Sequence, residues 1–311
     1  MSHTPLFRRE FLSPRYWPTW AGIGLARLVC LLPLRARWRV GQWLGRVVYR
    51  LAGSRRHIVR TNLKLCFPEL TEPEREDLVR RNFESSGINL VETSLAWFRP
   101  ATGYRHLASV HGLDHLKRAA ASGRGVILLG NHLATLDFCG ALLATWQPFT
   151  IMYRRNKNPL MEALMTRGRE RHFEAGIERD NIRAVIRALR SGAIVWYGPD
   201  QDYGRKHSVF APFFGQPAAT ITATSRIAAM TGAAVVPFTH YRNLETGRYD
   251  IYLGQPLADF PSGDEVQDAT RVNELVEAAI RHAPEQYWWV HRRFKTRPPG
   301  VPRPYDGVIK N

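Results

Sequence analysis

The sequence predicts an α/β protein: a layered, mainly parallel sheet flanked by helices, preceded by a helix that associates with a membrane. Three observations carry this. Short, wholly apolar runs such as 125–129 (GVILL) and 193–197 (AIVWY) have the composition of buried parallel strands. Segments of helical spacing alternate with them, the pattern of β-α-β units. No internal repeat, low-complexity tract or Gly/Ser linker divides the 311 residues.

The first element is the apolar run 16–34, YWPTWAGIGLARLVCLLPL, with one charge at Arg27 and with Trp17 and Trp20 near its start. It is long enough to span a bilayer, and Arg27 near its middle suits equally a helix lying in the interface. Eight Arg lie between 35 and 60 against three before the run, which places the main domain on the cytoplasmic side. The run starts late and no small-residue cleavage site follows, so it does not read as a cleaved signal. Residues 1–45 form a basic membrane-anchoring segment on this reading, and 46–311 a single catalytic domain.

Residues 72–98 carry helical spacing through Leu78, Val79, Phe83, Ile88 and Leu90. Strand 125–129 is followed by a helix over 133–146, strand 149–153 by a helix over 159–173. Apolar positions 182, 185, 186 and 189 mark a helix closed by Gly192. Strand 193–197 stops at Gly198-Pro199. A helix over 219–230, strands over 233–238 and 248–253, and a helix over 266–280 precede a Trp-rich tail. In such sheets chemistry gathers at the loops leaving the C-terminal ends of strands.

The charge is +17, from 44 Lys plus Arg against 27 Asp plus Glu. It sits at the ends: residues 1–60 hold 12 Arg and only Glu10, residues 281–311 seven bases and two acids, and the middle is near neutral. Basic ends call for a polyanion, and the apolar run beside them favours an anionic membrane over nucleic acid. A composition that is 44% apolar excludes intrinsic disorder. Cys30, Cys66 and Cys139 are scattered, which excludes a disulfide scaffold or a Cys-based zinc module and favours a reducing compartment.

Three strand ends carry unusual polar residues. Gly130-Asn131-His132, followed by Asp137, can place an imidazole and a carboxylate near one another across a strand-to-helix turn; the plainer reading is a His satisfied by backbone and an Asp capping the helix. The carboxylate would hold one ring nitrogen and leave the other to take a proton. Asp137 falls inside the expected helix, beyond the reach of capping. Tyr153-Arg154-Arg155 ends the next strand, with Arg167, Arg169 and Arg171 on the helix after it; forked guanidinium groups suit phosphate or carboxylate. Gly198-Pro199-Asp200-Gln201-Asp202 ends the third, either as a plain turn or as a site that orients hydroxyls or a divalent cation. The following apolar SVFAPFFG (208–215) would wall an acyl pocket or belong to the core. No GxSxG elbow, Walker loop, HExxH or complete GxGxxG is present, so no covalent nucleophile or nucleotide loop is visible.

The order Gly130-Asn131-His132-xxxx-Asp137, Tyr153-Arg154, Gly198-Pro199-Asp200, Val236-Pro237-Phe238 resembles the four blocks of the glycerolipid acyltransferase superfamily. GPDQDYGRKHSVFAPFFG (198–215) and APEQYWWVHRRFKTRP (283–298) are similar to the bacterial late acyltransferases of lipid A biosynthesis, of the lauroyl/myristoyl type. The resemblance spans residues 16 to 303. It implies an inner-membrane enzyme, working at the cytoplasmic leaflet, that moves a fatty acyl chain from acyl carrier protein to a hydroxyl of a 3-hydroxyacyl chain on a Kdo-bearing lipid A precursor. The wording of DQDYG leans to the lauroyl type. His132 would be the general base and Asp137 its orienting partner, with Asn131, Asp200, Gln201 and Asp202 as substrate contacts and Arg154 and Arg169 on acceptor phosphates. No cofactor or metal is implied. The alternatives are acylation of another glycolipid or of glycerol phosphate, and a basic membrane-attached nucleic-acid-binding protein.

Overall fold

The computed structural model describes residues 8–306; residues 1–7 and 307–311, the outer ends of the expected segments 1–45 and 46–311, lie outside the described residues. The N-terminal third is helical: α1 (Trp17–Val29), α2 (Leu34–Leu51), α3 (Gly53–Cys66) and the 27-residue α4 (Glu72–Phe98). A capping box starts α4, with the Thr71 N–H donating to Glu74 Oε2 at 2.8 Å. The run 16–34 does not form one helix: α1 ends at Val29 and Pro33 stands at the N-cap of α2. At 1.5 Å per residue α1 is about 20 Å long, short of the ~30 Å of a hydrocarbon core. No described helix is long and apolar enough to cross a membrane. Trp17, Leu25 and Leu28 of α1 are exposed, while Arg27 lies over the Phe98 ring at 5.1 Å.

Gly41 and Gly45 of α2 meet Gly87 of α4. A Cβ on Gly87 would stand 2.1 Å from the Gly41 carbonyl oxygen and 2.5 Å from the Gly45 nitrogen, so the two backbones touch. Gly87→Ala is therefore expected to lower stability by about 1–3 kcal/mol, because strain in a close-packed seam exceeds the gain in helix propensity. Chemical denaturation reads this directly; unchanged or higher stability would show that the seam yields.

Seven strands form the main sheet, in the spatial order β1 (Ala108–His111), β9 (Arg248–Leu253), β8 (Ala234–Asn243), β2 (Val126–Leu129), β5 (Ile194–Tyr197), β3 (Thr150–Tyr153) and β4 (Ala175–Glu178). All neighbours run parallel except β8 and β9. The connecting helices are α5 (Leu113–Ala121), α6 (Leu136–Leu143), α7 (Pro159–Glu170), α8 (Ile182–Arg190), α9 (Ala223–Thr231) and α10 (Glu265–His282). On one face of the sheet Val126, Leu128, Ile194, Trp196 and Val236 pack with α4 and α6. On the other, Ile127, Leu129, Val195 and Val235 pack with α8, α9 and α10. Strands β2 and β5 are covered on both sides, which is why they read as unbroken apolar runs. On the α4 side, Phe11 and Ile23 pack with Leu160 and Leu164 of α7.

The mainly parallel α/β architecture is as the sequence predicts; several elements differ. Residues 219–230 are not one helix: 216–221 form β7, antiparallel to β6 (Ser208–Phe213), and α9 starts at Ala223. Pairing of Ala218 and Ala219 with Ala211 and Phe210 overrides their helix propensity. Phe213 and Phe214 sink into a core with Phe67, Trp289 and Phe294, so the aromatic end of SVFAPFFG is core, while Pro212 and Gly215 are exposed. The four-residue edge strands β1 and β4 lack an apolar run and left no signal.

A buried polar knot joins the helices to the sheet. Glu92 of α4 holds Arg242 of β8 through two bonds of 2.6 and 2.7 Å and accepts from the Tyr249 hydroxyl at 2.6 Å and from Trp38 Nε1 at 3.2 Å. Every charge in it is paired, which is the condition for keeping ions in a core.

Candidate active site

Leu129 of β2 is in register with Tyr197 of β5 and Pro237 of β8, so the loops after β2 and β5 leave the sheet side by side. The first carries His132 and the second Asp200. The His132 Nδ1–H donates to Asp200 Oδ1 at 2.6 Å and the His132 backbone N–H donates to Oδ2 at 3.0 Å. That contact fixes the tautomer with its proton on Nδ1, leaving Nε2 as an acceptor. Burial works against the imidazolium, but the charge and hydrogen bond of Asp200, with a contribution from Asp137, hold the His132 pKa above its ordinary 6.5. Burial would likewise raise Asp200, and the contacts with His132 override it, holding the carboxyl near 2.

The carboxylate on the ring is thus Asp200, where Asp137 was expected. The physical reason is where the helix begins. Residues 130–135 form a turn and α6 starts at Leu136, so Asp137 lies in the first turn, where a helix N-terminus favours an acid, and accepts from Thr93 Oγ1 of α4 at 3.1 Å. Asp137 still lines the same cavity as His132.

That cavity, of about 180 Å³, is walled by Leu136, Phe149, Ile151, Met152, Phe173 and Trp196, with Arg154 and Arg169 among the polar groups. Arg169 lies over the Tyr153 ring at 4.6 Å and its Nη1 is buried with no hydrogen-bond partner. Burial pulls its pKa down while Asp137 opposes this; a guanidinium stays charged regardless. Tyr153, Arg169 and Phe173 also line a neighbouring cavity of about 560 Å³ that reaches Arg8, Arg155 and Lys157. His132, Asp137, Asp200, Arg154 and Arg169 therefore converge. Asn131 does not join them: it is buried beside a separate, mostly apolar cavity of about 430 Å³ against α10, its Oδ1 unpartnered. Gln201 is half-buried on its loop.

Asp202 serves another purpose. It accepts from the Thr296 N–H at 2.8 Å and Oγ1 at 3.0 Å, and its own N–H donates to His291 Nε2 at 2.9 Å. These bonds fasten a strap, residues 284–297, that also reaches the loop carrying His132. Trp288 N–H donates to the His132 carbonyl at 3.1 Å, Ala134 N–H donates to the Gln286 carbonyl at 2.6 Å, and the Tyr287 hydroxyl donates to the Asp200 carbonyl at 3.2 Å. Asn62 and Asn82 donate to strap carbonyls from α3 and α4. The motif APEQYWWVHRRFKTRP signals this segment in the sequence, but not its task, which is to hold the main chain on both sides of the dyad. Trp196 was also missed. Its ring meets His132 edge-on at 6.0 Å, and a Cβ on Gly130 would stand 2.2 Å from its Nε1, so the glycine leaves room for the indole.

Fold and site together define an α/β protein with a histidine–aspartate dyad at parallel strand ends, opening on an apolar slot flanked by arginines. The chain belongs to the bacterial lipid A biosynthesis acyltransferase family, whose model matches residues 4–296. It is 42% identical to the lipid A biosynthesis lauroyltransferase of Escherichia coli over 98% of this chain and 100% of that one. To the palmitoleoyltransferase of the same organism it is 43% identical, over 94% and 96%, and to the myristoyltransferase 32%, over 97% and 94%.

Proposed function

We propose that this protein transfers a fatty acyl chain, of the lauroyl type, from acyl carrier protein to a hydroxyl of a 3-hydroxyacyl chain on a Kdo-bearing lipid A precursor. The observation that carries the mechanism is the His132–Asp200 pair beside an apolar cavity. An aliphatic hydroxyl is too weak an acid to attack a thioester unaided at neutral pH. His132 Nε2 takes its proton as the oxygen adds to the carbonyl carbon. The tetrahedral intermediate then expels the carrier thiol, which recovers that proton from the imidazolium. Asp200 orients the ring and stabilises its cation, and Asp137 adds a second negative charge nearby. The slot walled by Leu136, Phe149, Ile151 and Met152 takes acyl carbons near the reacting centre.

Arg154 and Arg169, with Arg155 and Lys157 in the adjoining cavity, answer the phosphates of the acceptor. The unpartnered Nη1 of Arg169 supports that role. The N–H groups of His132 and Ala134 are already engaged, so they are not free to stabilise the oxyanion. We place the enzyme on the cytoplasmic face of the inner membrane, resting on the exposed apolar side chains Leu12, Trp17, Leu25, Leu28 and Leu31 of the Arg-rich N-terminal region. Mass spectrometry of lipid A from cells lacking the protein tests the whole reading. The expected result is loss of one secondary acyl chain, whose mass gives the donor chain length; an unchanged lipid A profile overturns it.

A further inference from the structure

The near-neutral middle of the chain is neutral only on average. Between residues 181 and 240 the Lys and Arg residues are Arg183, Arg187, Arg190, Arg205, Lys206 and Arg226, all exposed. The acids of that stretch are Asp200 and Asp202, both buried. Its exposed ionic surface is wholly cationic.

The fold gathers these charges. Arg183, Arg187 and Arg190 are spaced i, i+4, i+7 on α8 and so form one stripe. Arg226 lies on α9, and the two helices touch where Arg190 Nη2 donates to the Met230 carbonyl at 3.1 Å. The loop bearing Arg205 and Lys206 is tied to the start of α9 by the Thr222 N–H, which donates to the His207 carbonyl at 3.0 Å. This is the loop that begins with Asp200; Lys206 is at most about 20 Å of extended chain from the catalytic carboxylate. Acids lie at the edges of this cationic face: the exposed Asp180, paired with Arg179 at 3.6 Å, just precedes α8, and α10, which packs beside α9, exposes Glu265 and Glu274 with Asp264 at its N-cap.

We propose that the α8–α9 face and the adjoining 205–207 loop dock the protein part of the acyl donor, a small acidic carrier presenting carboxylates. The proposal rests on the reading that the donor is a carrier-bound thioester. Position separates this occupant from the lipid acceptor. The exposed apolar side chains of α1 lie with α4 and α7 on one side of the sheet, whereas α8 and α9 cover the other. The large apolar side chains exposed on α8 and α9 are Ile182 and Met230, too few for a bilayer contact. Complementary charge speeds encounter and fixes orientation, and the acidic edge of α10 repels a carrier that approaches displaced.

The test uses the full-length protein with three donors: an acyl carrier protein thioester, the same acyl chain on pantetheine, and acyl-coenzyme A. The variant is Arg183→Glu/Arg187→Glu/Arg226→Glu, checked for native thermal unfolding. For the carrier-bound donor KM is expected to rise at least about tenfold at low salt and the salt dependence to flatten. Turnover of acyl-pantetheine and KM for the lipid acceptor are expected to stay within about twofold. An unchanged KM for the carrier-bound donor overturns the proposal, as does a rise in acceptor KM, which would assign the face to lipid phosphates. Wild-type protein that favours acyl-coenzyme A over the carrier-bound donor overturns the donor reading beneath it, and failure with every thioester overturns the acyltransferase mechanism itself.

Discussion

His132→Ala is expected to lower turnover by about two to four orders of magnitude, the range that a positioned base supplies, and to lower the thermal unfolding midpoint modestly, because the buried Asp200 carboxylate loses its partner while the transition stays cooperative. The side chain is 27% exposed, facing a cavity rather than filling a core, so truncation opens little new space. The loop main chain remains held by Trp288, Gln286 and the Asp200 carboxylate. The measurement is single-turnover transfer with both substrates saturating, beside a calorimetric scan. Near-normal turnover would remove the base assignment; a collapsed unfolding transition would show that the residue is structural.

Asp200→Asn separates orientation from charge. The amide keeps the shape but removes the negative charge that faces Nδ1 at 2.6 Å. In a serine-protease triad the same change costs about 10⁴ in turnover, and a loss of about 10²–10⁴ is expected here. The pH profile carries the sharper sign. With His132 as the proposed base, activity needs the neutral imidazole, so in the wild type it is expected to rise with pH through a limb above 6.5, where Asp200 has raised the His132 pKa. Without that charge burial prevails, and the limb moves to lower pH. The linkage to stability has two signs. For His132, stabilisation from the pair is complete below the ordinary imidazole value and fades as pH rises through the raised one. For Asp200, it is present above the ordinary 3.8 and fades as pH falls through about 2. An acid limb that does not move in the variant would mean another group sets the profile. Asp137→Asn is the natural comparison: lacking a bond to the ring, it should shift the limb less.

Legibility in the sequence followed burial. Strands β2 and β5, covered on both faces, announce themselves as apolar runs, and His132, Arg154 and Asp200 stand at strand ends, with Arg169 on the helix that follows one of them. What failed depended on contacts distant in sequence. Asp137 is five residues from His132 and Asp200 is sixty-eight, yet the ring bonds the distant acid, because register between β2 and β5 outranks proximity along the chain. Asp202 looked like a ligand for substrate because nothing local revealed that Thr296, ninety-four residues on, would occupy it. The alanines of β7 carried a helical propensity that only their hairpin partner could overrule.

The glycine seam presses α2 against α4, and Ile23 of α1 packs with Leu160 and Leu164 of α7, so the N-terminal helices are packed onto the body that carries the dyad. On the proposed membrane placement, α1 is a mooring rather than a tether. On that placement the altitude of the imidazole above the bilayer is set by the fold, and a lipid would travel that distance to meet it.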